Sequence, residues 1–480
     1  DLARGTPSPG HHLYRNLGNL KFVDVTAQAG LRGNGSYGMG VAVGDYDNDG
    51  RPDLYITGFG ANQLFRNEGG GVFRDVTKSA GVAAGGWSSS AGFFDYDRDG
   101  DLDLYVVRYV EFDRKDNPYC GFKKPGYRMY CDPRMFDGKP DLLFRNNGDG
   151  AFTDVSKASG IANPSGKGLG LAFGDIDNDG WPDIYVANDG VRNFLYHNQR
   201  NGTFVDIAYG AGVGFDGNGK AQAGMGAEIA DYDGDGRADI FVTNFSDELN
   251  TLYRNLGNLI FDDVTMKAGL QSGLLPLGFG TRLFDFDNDG DLDLHVTNGH
   301  VIDNIALYNP RLRYAQTDLL YENTGAGVFR DISANAGPAF AIEHVGRGTV
   351  VADLDNDGDL DIVVANLGAR PFLFRNDTAP MGHWLSLDLA RPDARIAVTV
   401  GGKTLYRYAT SVNSYQSSSD PRVHIGLGQA AKADRVQIDW PDGTKQIMEN
   451  VAGGRVLKVS GGWTPRRVPD RSPLPAETKP

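Results

Sequence analysis

One nine-residue pattern governs what this chain can fold into. DYDNDGRPD (45–53) returns as DYDRDGDLD (95–103), DIDNDGWPD (175–183), DYDGDGRAD (231–239), DFDNDGDLD (285–293) and DLDNDGDLD (353–361). Each copy places Asp at positions 1, 3, 5 and 9 and Gly at position 6, then runs into an apolar, β-like stretch such as LYIT or IYVA. Carboxylates this dense repel one another unless a cation sits among them. Alternate oxygens on a turn suit Ca²⁺, which takes six to eight oxygen ligands, better than Mg²⁺, which demands strict octahedral geometry. The start resembles an EF-hand loop, but position 12 is Ile or Val where an EF-hand has Glu, and the last carboxylate stands at position 9. The loop therefore leads into a strand.

The expected ligands are Asp45, Asp47, Asp49 and Asp53; Asp95, Asp97, Asp99 and Asp103; Asp175, Asp177, Asp179 and Asp183; Asp231, Asp233, Asp235 and Asp239; Asp285, Asp287, Asp289 and Asp293; and Asp353, Asp355, Asp357 and Asp361. They predict about six Ca²⁺ sites. These 24 residues belong to a pool of 62 acids, and six divalent ions would raise the formal net charge from −15 to about −3. So acidic a chain lacks the basic footprint that nucleic acid requires.

The motifs sit inside longer units. Upstream stand paired small residues: Gly38/Gly40, Ser88/Ser90, Gly168/Gly170, Gly224/Gly226, Gly278/Gly280 and Gly346/Gly348. Downstream comes a second signature (LFRN, LFRN, LYHN, LYRN, LYEN and LFRN), followed in most units by a glycine turn and F-x-D-[VI]. Four short strands per unit of roughly 50 residues is the arithmetic of a β-propeller blade. The fold class is all-β, with seven blades expected and six as the alternative. The N-terminal LYRN (13–16) and FVDVT (22–26) form half a unit, whose missing strands are expected from the C-terminal part of the chain.

The propeller is assigned to 1–381, with an insertion at about 109–140 expected to protrude from one face. A small β module follows at 382–460, and a proline-rich tail at 461–480. The insertion holds the only two cysteines, Cys120 and Cys131, which read as a local disulfide suited to an oxidising compartment. No run of 18 apolar residues is present, so no transmembrane span is expected. The start at Asp1 is read as that of a mature, secreted chain, extracellular or periplasmic.

The repeats resemble the FG-GAP/VCBS repeats of calcium-binding propellers, and SYQSSSDPRVHIGLGQAAKADRVQIDWPDGTKQ (414–446) resembles the ASPIC/UnbV domain. Together they resemble the cartilage acidic protein-like family. The resemblance implies an extracellular calcium-stabilised binding or scaffold protein and carries no catalytic mechanism with it. An extracellular protein or matrix component, with a glycan as a further possibility, is the expected partner. The alternatives are a carbohydrate-binding protein or an enzyme acting on an extracellular polymer, although no acid/base pair is legible. Asn188, Asn244, Asn298 and Asn366 recur thirteen residues after the first loop Asp, either as caps of strand ends or as a ligand ring. Glu228, Arg282, His300, His344 and Arg347 are candidates for a channel mouth.

Overall fold

The computed structural model describes residues 10–325, 327–379, 381–410 and 412–461. Beyond Gly461, the expected proline-rich tail lies outside them. The chain is all-β and arranged as a propeller. Five four-stranded units follow one another: Tyr37–Gly44 to Phe73–Asp75, Gly85–Phe94 to Phe152–Asp154, Gly168–Gly174 to Phe204–Asp206, Gly224–Ala230 to Phe261–Asp263, and Gly278–Phe284 to Phe329–Asp331. A sixth has three strands, Gly346–Ala352, Asp361–Asn366 and Phe372–Phe374. Below, these units are numbered one to six. Neighbours pack face to face through aromatic cores; Phe94 of the second stacks on Phe173 of the third at 4.1 Å.

The paired small residues stand on the innermost strands, where each unit has a register shift between its first and second strands. A Cβ at Gly170 would lie 2.4 Å from the Met225 carbonyl oxygen, and one at Gly226 would lie 2.3 Å from that of Phe279. Glycine is required because the next unit's backbone occupies that space. The second unit uses hydroxyls instead: Ser89 and Ser90 donate to the carbonyls of Gly168 and Leu169.

The N-terminal half unit is a two-stranded hairpin, Tyr14–Asn16 with Phe22–Asp24. It touches both ends of the series. Asn16 Nδ2 donates to the Leu354 carbonyl of the sixth unit at 2.7 Å, and His11 meets Gln63 of the first at 3.1 Å. The expectation that C-terminal strands complete it is corrected: among the described residues, those strands pair only with each other. They form two sheets, one of His383–Leu389, Val423–Gly428 and Arg455–Val459, the other of Arg395–Val400, Lys403–Tyr408, Lys432–Asp439 and Lys445–Ala452. Their own core includes Leu385, Ile396, Val398, Ile425, Val436 and Ile438. The module's strands are ordered by this core and by pairing with one another, and none pairs with the hairpin.

The module instead sends a non-strand segment, residues 412–419, among the innermost strands. Ser414 exchanges backbone hydrogen bonds with Ala227, and its hydroxyl accepts from Thr281 N. Gln416 O accepts from Val41 N, and Gln416 N donates to Ser90 Oγ. Tyr415 packs with Leu169, Met225, Leu277 and Phe279. The segment thus touches the first five units at once.

The insertion does not stand free. Cys120 and Cys131 form the expected disulfide, closing a short hairpin that leans on residues 299–316 of the fifth unit. Phe122 stacks on Tyr308 at 5.4 Å, and Asn304 Nδ2 donates to the carbonyls of Gly126 and Arg128. No helix among the described residues is long and apolar enough to cross a membrane.

Candidate metal centres

Each acidic loop joins the first and second strands of its unit, so all six open on one face. Two left-handed positions shape the turn. Position 4 has φ of 56–62° at Asn48, Arg98, Asn178, Asn288 and Asn356, and position 6 is Gly throughout, with φ of 85–100°. The first carboxylate caps the turn: Asp45 Oδ1 accepts from Asp49 N and Oδ2 from Gly50 N, at 3.0 and 2.8 Å. Asp175, Asp285 and Asp353 repeat this arrangement.

The ninth residue links the two sequence signatures. Asp53, Asp103, Asp183, Asp239, Asp293 and Asp361 are all buried. In each, one oxygen accepts the backbone N–H of the Asn that ends the L-[FY]-x-N strand, and the other accepts that of loop position 2. The Asn side chain then reaches the previous unit: Asn146 Nδ2 to Tyr46 O, Asn198 to Tyr96 O, Asn255 to Ile176 O, Asn323 to Tyr232 O and Asn376 to Phe286 O. Every loop is therefore part of a joint between neighbours.

These carboxylates are held where their charge is costly. Burial first, then the hydrogen bonds and neighbouring acids, sets the Asp53 pKa at about 8 and that of Asp293 at about 9; Asp103, Asp183 and Asp239 are raised well above the ordinary value. Carboxylate oxygens of Asp45, Asp47 and Asp53 gather within 4.8 Å of one another, as do those of Asp95, Asp97 and Asp99, of Asp175, Asp177 and Asp183, and of Asp231, Asp233 and Asp239. Asp47 Oδ1, Asp95 Oδ1, Asp97 Oδ1 and Asp355 Oδ1 are buried with no hydrogen-bond partner. An orphaned buried oxygen beside two or three more is a donor set that fits a hard cation.

The loops are not equivalent, a feature that identical spacing concealed. The variable residue of L-[FY]-x-N faces the loop. Arg66 Nε lies 2.7 Å from Asp47, Arg254 Nε 2.6 Å from Asp233, and His197 Nε2 3.1 Å from Asp177. The fifth unit has Glu322 there, which adds negative charge beside Asp287 and Asp289. The C-terminal module sits against the same face. Arg391 pairs with Asp95 at 3.1 Å, and Asp393 accepts from Asp95 N at 3.0 Å. Gly426 N donates to Asp285 Oδ2, Arg407 to Gly290 O and Arg395 to Gly236 O.

The other candidates are internal. Asn188, Asn244, Asn298 and Asn366 bond backbone carbonyls at the ends of their strands, to Arg192, Leu249, Thr317 and Arg370, and so act as caps. Glu228 pairs with Arg282 at 2.5 Å. Arg347 donates to the carbonyls of Gly299 and His300. His344 lies 3.0 Å from the buried Asp318, which also contacts His295. Sequence reasoning passed over Asp318 and its counterparts one residue before the third strand's apolar run. Asn62, Asp141, Asn193, Asn250 and Asp318 each accept the backbone N–H at the end of the second strand. Their shared offset from L-[FY]-x-N was the available signal.

A family model described as FG-GAP-like repeat matches residues 1–56, 45–106, 135–186, 175–242, 231–296 and 304–364, and one described as ASPIC and UnbV matches 392–464. Cartilage acidic protein 1 of Homo sapiens is 27% identical over 467 residues, covering 89% of this chain and 63% of that protein. The Xenopus tropicalis protein of that name is 26% identical over 455 residues, covering 89% and 65%. The chain thus spans less than two thirds of the length of these relatives. Among solved structures, an Agrocybe aegerita lectin is similar at 17% identity with a TM-score of 0.44, covering 77% of this chain and 89% of that one. The Dos1 propeller is similar at 10% identity with a TM-score of 0.35, covering 95% and 98%.

Proposed function

The chain belongs to the FG-GAP-like repeat family, and from that premise we propose that it is a secreted, calcium-stabilised β-propeller serving as a protein-binding or scaffold module. The observation that carries this reading is the double use of the acidic loops. The loops gather buried carboxylates, some with orphaned oxygens, and in the second to sixth units the loop is tied through its ninth Asp and the following Asn to the preceding unit. All 24 loop aspartates named above are the proposed ligands, at about six sites. Bound Ca²⁺ would supply positive charge beside carboxylates whose ionisation burial opposes. The chain's own part is to fix loop geometry through the left-handed turns and the backbone hydrogen bonds to positions 1 and 9.

A rigid body with its axis filled by residues 412–419 leaves its rim and loop surfaces for partners, which supports recognition as the role. The ring is read as having seven stations, the seventh held by the N-terminal hairpin between the sixth and first units. The relatives named for cartilage support an extracellular matrix setting, as does the disulfide.

The experiment is calorimetric melting in calcium and in chelator, with metal content measured on the purified chain. A ligand at 100 times its Kd stabilises by about 2.7 kcal/mol per site, so several sites should give a large upward shift. Identical melts, with no metal co-purifying, would sink the proposal. Capture from the host's extracellular fraction, with and without calcium, then tests the binding role. Failure to retain any protein in either condition would count against a scaffold.

A further inference from the structure

We propose that the disulfide-closed hairpin of the insertion, residues 117–131, is a docking surface for an anionic polysaccharide. This goes beyond the scaffold reading and does not rest on metal loading. In a chain with 62 acidic residues, none falls between 117 and 131, while Lys123, Lys124 and Arg128 do. Among the described residues these three meet no carboxylate within ion-pair distance, whereas cations elsewhere, such as Arg66, Lys220, Arg282 and Arg422, are paired. Two of them lie instead beside aromatic rings: Lys124 Nζ is 4.7 Å from the Tyr127 ring centre, and the Arg128 guanidinium is 5.7 Å from that of Tyr119.

The rings are presented outward. Tyr119 is 47% exposed, Phe122 64% and Tyr130 68%. Exposed rings grouped on one short hairpin mark an interaction surface. The Cys120–Cys131 bond and the contacts of Asn304 and Tyr308 fix the hairpin in advance, which lowers the entropy lost on binding.

Cations interleaved with rings match a polymer whose anionic groups alternate with apolar ring faces. Sugar C–H faces stack on Tyr and Phe, while carboxylate or sulfate groups meet Lys and Arg. An acidic peptide offers the charge without regularly spaced ring faces. Nucleic acid needs a longer cationic track than three residues on a chain of net charge −15 supply.

The test uses the full calcium-loaded chain and three probes: a heparin oligosaccharide, neutral dextran and polyglutamate of matched charge. Titrations are run at low and high salt. Heparin should bind and dextran should not, and binding should weaken with salt because exposed charges are screened. Lys123→Ala/Lys124→Ala/Arg128→Ala should lose at least ten-fold in affinity. Tyr119→Ser/Tyr130→Ser should lose several-fold at unchanged salt dependence. Should the alanine triple variant melt early, Lys123→Gln/Lys124→Gln replaces it and should still lose several-fold. Absence of heparin binding, or full binding by the charge variants, overturns the proposal. Equal binding of polyglutamate with no effect of the Tyr substitutions also overturns it, and reassigns the surface to an acidic polypeptide. None of these outcomes alters the calcium-dependent melting, so the two readings fail separately.

Discussion

Asp318 concentrates the cost of burying charge at a single residue. Its carboxylate accepts from Thr297 Oγ1 at 2.7 Å and from Asn298 N at 3.1 Å, and it lies within 3.3 Å of His295 and 3.0 Å of His344. Although burial pushes its pKa upward, the hydrogen bonds and nearby histidines prevail and hold it at about 2, while the hydrogen bonds and charge of Asp318 raise that of His344. The signs then differ. The Asp318 contribution is present above the ordinary carboxylate value of 3.8 and is lost as pH falls toward 2. The His344 contribution is full below 6.5 and is lost as pH rises through its raised folded value. Removing one member of a buried charge set costs about 3–5 kcal/mol. Asp318→Asn should therefore lower stability in urea, with the largest difference from the parent between roughly pH 4 and 6.5; a pH-independent difference would exclude the charge explanation. Asp318 recurs as an Asn/Asp position that the sequence reading passed over, and no spacing connects it with His295 and His344.

At the scale of the element, the loop and the third strand work together. Asp183 accepts from Asn198 N and Ile176 N, and Asn198 reaches Tyr96 O of the second unit. Asp183→Asn should abolish one ion site and leave the others, read as one fewer calcium per chain by titration; an unchanged count would remove Asp183 from the ligand set. Asn198→Ala should destabilise by about 1–2 kcal/mol, the cost of leaving a buried partner unpaired, measured by chemical unfolding. The paired glycines make a separate prediction. Gly226→Ala would place a methyl 2.3 Å from the Phe279 carbonyl oxygen, and overpacking of this kind costs about 1–3 kcal/mol. A neutral result would mean that the innermost strands move apart freely. The fixed small-residue offsets and the Asp ladder were legible because each is a local rule repeated six times. The opposite effects of Arg66 and Glu322 on their loops were not, since the variable letter of L-[FY]-x-N gains meaning only once strand and loop face each other.

For the whole molecule, the C-terminal module is docked on the face that carries the acidic loops. Its contacts reach Asp95, Gly236, Asp285 and Gly290, and its segment 412–419 bonds to Val41, Ser90, Ala227 and Thr281. Any loosening of the loops should be felt by the module. Hydrogen exchange at residues 412–419 should accelerate in chelator, and the module's own strands, with their separate core, should exchange less differently. Unchanged exchange along 412–419 would show that docking and ion binding are independent.

The sequence alone determined the repeat, the strand-and-turn content of most units, the acidic clusters and the cysteine pair. All are short-range consequences of period, turn chemistry and charge density. Only the tertiary structure decided how the ring is finished. The hairpin stays two-stranded, a loop rather than a strand enters the axis, and the insertion folds onto the fifth unit. Each outcome depends on contacts between segments far apart in the chain, where packing and competing hydrogen bonds select the partner and local propensity carries no address.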